Sequence, residues 1–255
     1  MKICRFYHRF AVALSFLTIF RLPKTSSFRL QPADFAGAFP FFPVVGLIIG
    51  LLVAGLVALI HSMLPYLVTA FWIVSFMTVI TRGLHLDGLA DCADGIGGGY
   101  NPHQRLEIMK DSSVGSFGSL AMVLDIVLKG VALQALVKRL AFGDLIIVPI
   151  FARCSIVLCA IGMPYARREG GLGQPFLKYI RLWHLLVALI VTLVLATSLT
   201  GFRSFYYLVV TLIVVLSVRV GAIHWLGGVT GDVLGATSEL SEIFLYSVAA
   251  AFFSP

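Results

Sequence analysis

Apolar residues in this chain fall into runs of about twenty, separated by shorter segments that hold most of the charge. At 1.5 Å per residue, a run of that length crosses a hydrocarbon core as one α-helix. Six runs, 36–60, 64–81, 114–137, 145–163, 182–199 and 205–225, predict transmembrane helices. A seventh, ending at 253, is purely apolar only from Ile243, so it spans only if its helix begins well before Glu239. The segment 10–20 is too short to cross, has arginines on both sides and lacks a small-residue cleavage site. It predicts an interfacial helix rather than a signal peptide. The expected fold is all-α: a polytopic membrane helical bundle of about six or seven transmembrane helices plus the N-terminal interfacial helix. It forms a single integral membrane domain over 1–255, without internal repeats or low-complexity tracts.

Composition supports that setting. With 59% hydrophobic and 12% charged residues and a mean hydropathy of +0.99, 255 residues offer no core large enough for an ordinary soluble domain. The net charge of +7 raises nucleic acid as a partner. However, Lys2, Arg5, Arg9, Arg21, Lys24 and Arg29 cluster in the first thirty positions, where a membrane protein meets anionic headgroups. Membrane lipid is therefore the expected partner, and nucleic acid is not. The N-terminal arm and the loops 82–113, 164–181 and 226–242 hold thirteen basic residues, against Lys138, Arg139 and Arg203 in the opposite loops. The positive-inside rule then places the first set in the cytoplasm, together with both acid-rich stretches and the Arg167–Arg168 pair. Cys4, Cys92, Cys154 and Cys159 show no C-x-x-C pairing, and free thiols are expected.

Eight of the twelve acidic residues lie in two short stretches. The first reads His85-Leu-Asp87-Gly-Leu-Ala-Asp91-Cys-Ala-Asp94-Gly95. Spacings of four and three put Asp87, Asp91 and Asp94 on one helix face, where their charges repel unless a cation lies between them. A hard divalent ion, most simply Mg2+, suits such a gap. Gly95, Gly97, Gly98 and Gly99 follow and predict a flexible turn whose amides can approach phosphate. Lys110 supplies countercharge there, and Glu107 and Asp111 share a second helical face. The alternative is a mobile loop between helices; the adjacent carboxylates favour a phosphate and metal site. The second stretch holds Gly227, Gly228, Thr230, Gly231, Asp232, Glu239 and Glu242. Thr230 and its glycines suggest another anion-accepting turn. Asp232 either completes the metal shell or accepts a proton from an attacking hydroxyl, and the bland reading makes these acids solvated or capping groups.

These motifs resemble cobalamin synthase, the adenosylcobinamide-GDP ribazoletransferase family. The resemblance rests on Gly83 to Gly95, on Glu107-Ile-Met-Lys110-Asp111-Ser112 with Gly115, and on Gly227 to Ala236 with Glu239. It also takes in the helix entry 40–50 and the loop from Tyr165 to Gly173. One departure is Ser113, where the family pattern often has Arg. The resemblance implies a membrane transferase that joins adenosylcobinamide-GDP to α-ribazole or its 5′-phosphate. GMP leaves, and adenosylcobalamin or its 5′-phosphate forms. It also implies Mg2+ dependence, in agreement with the carboxylate pattern, and other cobalamin-pathway proteins as possible partners. Asp87, Asp91, Asp94 and Asp111 are the expected metal ligands. Asp87, Asp91, Asp94, Asp232 and His85 are the catalytic candidates, with the general base open between Asp232 and His85. Lys110, Ser112, Arg153, Arg167, Thr230 and Gly231 are the substrate-binding candidates, and the loops 82–113 and 226–242 are the cytoplasmic catalytic loops. The expected location is the cytoplasmic membrane of a prokaryote.

Charges inside the predicted spans need partners or a wet cavity. Arg153 lies roughly 16 Å from the cytoplasmic end of its span at 1.5 Å per residue; it binds substrate phosphate or pairs with a carboxylate. Asp125 and Lys129 stand four apart and predict mutual neutralisation; Lys129 fits the family pattern and Asp125 does not. Arg219 is close enough to a helix end to snorkel. Two other function classes are weaker. The Asp-Gly-x-x-Ala-Arg pattern of CDP-alcohol phosphotransferases is absent, because Asp94-Gly95 continues as Ile-Gly-Gly-Gly. An ion-coupled transporter using Asp125, Lys129 and Arg153 lacks the two related halves that such a fold would show.

Overall fold

The amphipathic N-terminal run forms helix α1 (Lys2–Leu17) and buries Ala13, Leu14 and Leu17. It is thus packed against protein along one face and starts earlier than the 10–20 segment expected. The computed structural model describes residues 2–22, 32–167 and 174–252; Lys24, Arg29, Arg168 and the end of the last span lie outside these. A short α2 (Pro32–Ala36) and a 3-10 turn, Phe39–Phe41, lead into α3 (Phe42–Ile60). Then follow α4 (Tyr66–Ile80), α5 (Leu84–Gly98), α6 (Pro102–Ile108), α7 (Ser116–Lys138) and α8 (Phe142–Ala160). The chain ends with α9 (Gln174–Lys178), α10 (Leu182–Thr200), α11 (Arg203–Leu226) and α12 (Gly231–Phe252). Among the described residues the only β-type pairing is a single bridge between Tyr165 and Val229.

Helix α8 is the hub. It is buried along nearly its whole length and packs against α3, α10, α11 and α12. Gly46 and Gly50 let α3 approach it backbone to backbone: a Cβ at either would lie 2.4 Å from the carbonyl oxygen of Pro149 or Ile146. Small residues four apart are how membrane helices gain close van der Waals contact where lipid removes the hydrophobic drive. The outer faces of α7, α10 and α11 present Leu120, Val127, Ile190, Val194, Ile213 and Val220, an apolar belt suited to lipid.

Five helical segments, 33–60 and helices α7, α8, α10 and α11, are long and apolar enough to cross a membrane. The predicted 64–81 span is one helix but a short one. Helix α4 has only 15 residues, and the chain then bends by 91° into α5, so α5 leaves the direction of α4 and does not continue as a span. Counted as one broken span, the pair makes a sixth. The bend is made at Arg82 and Gly83, both with positive φ, 57° and 63°. It is held by the Arg82 guanidinium donating to the carbonyls of Ser15 and Phe16 at the end of α1. The seventh segment is a continuous helix that begins before Glu239, as spanning required. It is nevertheless not among the helices long and apolar enough to cross a membrane, and it carries the buried acids Glu239 and Glu242.

Candidate active site

Helix α5 carries Asp87, Asp91 and Asp94 on one side, and α12 brings Asp232 to them. The approach depends on Gly88, where a Cβ would lie 2.7 Å from the Asp232 carbonyl oxygen. Val229 donates to Pro164 and accepts from the Ala166 amide, both at 2.9 Å. This clamps the 164–167 segment to the start of α12 and sets the Arg167 Nη2 2.6 Å from the Asp232 Oδ2. Thr230 donates to the same oxygen at 3.1 Å, and Arg167 also donates to the Met109 carbonyl.

Asp91 is half-buried in this group. Burial, then the charges of Asp232 and Asp87, push its carboxyl up to about 7, while Arg167 opposes them. Like charges crowded at a partly dry surface are relieved by a hard cation, and oxygen donors suit Mg2+. The donor chemistry of Asp87, Asp91 and Asp232 therefore fits that ion. Among the described residues no three carboxylate, imidazole or thiol groups are placed to hold a metal ion together, so these side chains would have to move to take one.

Of the other expected ligands, Asp94 lies close enough for its charge to act on Asp91, and both it and Asp111 have partners of their own. Asp94 accepts from the Gly115 and Gly118 amides at 2.7 and 2.8 Å, so both of its oxygens hold the exposed N-terminus of α7. Asp111 is exposed and accepts from the Ser113 amide; hydrogen bonds from Ser113 hold its carboxyl below the usual range. Ser112 is likewise exposed. The glycine run is not a flexible turn: Gly95, Gly97 and Gly98 are helical. Gly95 and Gly97 give room to Met109 and Phe117, and Gly99 at the helix end gives room to Arg105. The second turn accepts no anion through Gly227, Gly228 or Val229, because their amides donate to Ile223, Ala222 and Pro164. Gly227 instead ends α11 with φ of 76°, and Gly231 begins α12.

Deeper in the bundle, Lys129 contacts Asp125 at 3.1 Å, Glu242 at 2.9 Å, and Glu239. Arg153 pairs with Glu242. The neutralisation expected for Asp125 and Lys129 is present, extended by two carboxylates from α12, which are neither solvated nor capping. Arg153 belongs to this network rather than to the substrate surface. Arg219 does not snorkel: it donates to the Leu158 and Ile161 carbonyls at 2.8 and 2.7 Å, closing the C-terminus of α8. His85 is buried and neither ring nitrogen has a hydrogen-bond partner. Burial, with the Arg153 charge, pushes its pKa down to about 3. The imidazole is neutral and makes no hydrogen bond to the acid group.

Two cavities adjoin the acids. One, about 460 Å³, is lined by His103, Glu107, Lys110, Ala166 and Arg167 among others; Lys110 there pairs with Glu107 at 2.9 Å. The other, about 140 Å³, is lined by Phe16, Phe39, Phe42 and Phe176 with His85, Asp87 and Asp232. Sequence reasoning missed these aromatics. The aromatic–proline run at 39–43 was their one local signal.

The family model described as cobalamin-5-phosphate synthase matches residues 9–250. An adenosylcobinamide-GDP ribazoletransferase of Syntrophobacter fumaroxidans is 47% identical over 247 residues, 97% of this chain and 100% of the relative. Proteins of the same name from Chlorobaculum parvum and Clostridium novyi are 39% and 32% identical. The first alignment covers 93% of both chains, the second 91% of this chain and 93% of the relative. No solved structure matches.

Proposed function

We propose that this chain, which belongs to the cobalamin-5-phosphate synthase family and is an adenosylcobinamide-GDP ribazoletransferase, carries out the transfer at Asp87, Asp91, Asp232 and Arg167, beside the two cavities. A free ribose hydroxyl of α-ribazole, or of its 5′-phosphate, attacks the cobinamide phosphate of adenosylcobinamide-GDP. A new P–O bond forms, the pyrophosphate P–O bond breaks, and GMP leaves with that electron pair. The hydroxyl proton passes to Asp232.

The observation that carries this reading is the Arg167–Asp232 pair, 2.6 Å across, because Asp232 lines one cavity and Arg167 the other. A base on the acceptor side and a cation on the donor side are thus adjacent. Arg167 and Lys110 hold the phosphates of the donor in the larger cavity and offset charge as GMP separates. Asp87 and Asp91 would hold Mg2+, which would supply further charge neutralisation at the pyrophosphate. Detergent-purified protein given both substrates is expected to release GMP with a matching corrinoid product only when Mg2+ is present. Asp232→Asn keeps the shape and a partner for Thr230, and should lower kcat by about 10²–10⁴-fold with little change in the donor KM. No GMP from folded wild type, with either ribazole form, would end the reading; an unchanged Asp232→Asn rate would return that residue to a capping role.

The helices place the protein in a membrane, and the distribution of Lys and Arg supports an orientation with this site on the cytoplasmic side. Reporter fusions after Met63 and after Lys178 should then mark opposite sides. Matching signals would overturn that orientation.

A further inference from the structure

His85 poses a problem that the transfer chemistry leaves unsolved. It is 2% exposed, and both ring nitrogens lack a partner. Leaving a buried polar group unpaired opposes folding, and most buried groups have a partner, so these two call for an explanation. The imidazole lines the 140 Å³ cavity, whose wall also holds four phenylalanines, with Leu84, Ile156 and Leu234 beside them and Asp87 and Asp232 at one side. Phe176 is central to that wall, with ring centroids 4.6 Å from Phe16, 5.7 Å from Phe39 and 6.2 Å from Phe42. These rings come from α1, the turn before α3, the start of α3, and α9, so four separate elements are used to build one apolar slot.

Resting on the function proposed above, we infer that this slot seats the aromatic base of the ribazole acceptor, with His85 as its hydrogen-bond donor. The volume suits one planar ring system: an apolar cavity of about 150 Å³ takes benzene, and a fused bicycle needs only modest widening. The base of a benzimidazole riboside has a wide apolar face and one free ring nitrogen, which accepts a hydrogen bond. Phenylalanine walls match the face, and an imidazole N–H matches the nitrogen. Asp87 and Asp232 line the same cavity, so a ribose attached to the seated base has its hydroxyls next to the proposed proton acceptor. Specificity follows from the orphan: a ligand without the acceptor nitrogen leaves His85 unpaired.

Binding to the full-length protein in detergent tests this, by titration calorimetry without the donor and by KM in turnover. The wild type should bind α-ribazole about tenfold more tightly than the matching indole riboside, which has C–H in place of the ring nitrogen. His85→Leu should lose that preference, His85→Gln should restore part of it, and the KM for adenosylcobinamide-GDP should stay within about twofold in both. Phe39→Trp, which fills the slot, should weaken both ribosides together. A wild type that does not distinguish the two, or a His85→Leu protein that still does, overturns the inference. So does Phe39→Trp with unchanged acceptor KM. Failure here with normal GMP release leaves the proposed reaction standing, whereas absence of GMP release from the wild type is failure of the reaction itself.

Discussion

Asp91→Asn is expected to lower GMP release by on the order of 10³-fold or more while the protein remains folded in the membrane. The substitution keeps shape and volume and removes one negative charge from between Asp87 and Asp232, the neighbours whose charges act most strongly on it. A divalent cation held there loses a charged oxygen donor, and the leaving GMP loses charge neutralisation. Stability should move the other way. The Asp91 pKa is raised above its unfolded value, so ionising it opposes folding; the penalty is absent at about pH 3 and fully present above about pH 7. In metal-free buffer the Asn protein should therefore unfold at the same temperature as wild type near pH 3 and at a higher one near pH 8. An Asn variant with near-normal turnover would remove Asp91 from cation binding, and a lower melting point at pH 8 would contradict the crowding of charge.

The largest loss of stability should come from Lys129→Met. The ammonium is buried and contacts Asp125, Glu239 and Glu242 at once, so removing it leaves three carboxylates to share Arg153. Breaking a buried ion pair from one side costs about 3–5 kcal/mol, chiefly because the remaining charges stay buried without compensation. The variant should be poorly recovered from the membrane or show a sharply lowered thermal midpoint in detergent. Replacing the charges together, as Lys129→Met with Asp125→Asn and Glu239→Gln, should recover much of the loss and leave Glu242 to Arg153. If the single variant melts like the wild type, the network does not hold α7, α8 and α12 together.

Much of the site was legible because its acids are local in sequence. Asp87, Asp91 and Asp94 stand four and three apart, and helical geometry alone puts them on one face. Even so, the three take different roles. Asp94 closes the N-terminus of α7 through Gly115 and Gly118, a partnership across more than twenty residues that no spacing announces. Arg153 shows the same limit. Its depth in a span required a partner or a cavity, and only the packing of α12 decided for Glu242. The glycines after Asp94 misled, since glycine allows a loose turn and also tight packing; Met109 and Phe117 resolve it toward packing.

The division follows from the range of the forces. Hydropathy runs, the excess of Lys and Arg on alternate loops and the i, i+4 spacing of charges act over a few residues or one bilayer thickness. By themselves they determined an all-α membrane protein with Asp87, Asp91 and Asp94 on one helix face. The 91° turn after α4, the pairing of Arg167 with Asp232, the buried Lys129 and Arg153 network and the phenylalanine slot beside His85 were decided by the tertiary structure alone. Each of these depends on contacts between segments far apart in the chain, and close packing fixes those contacts only once every helix is in place.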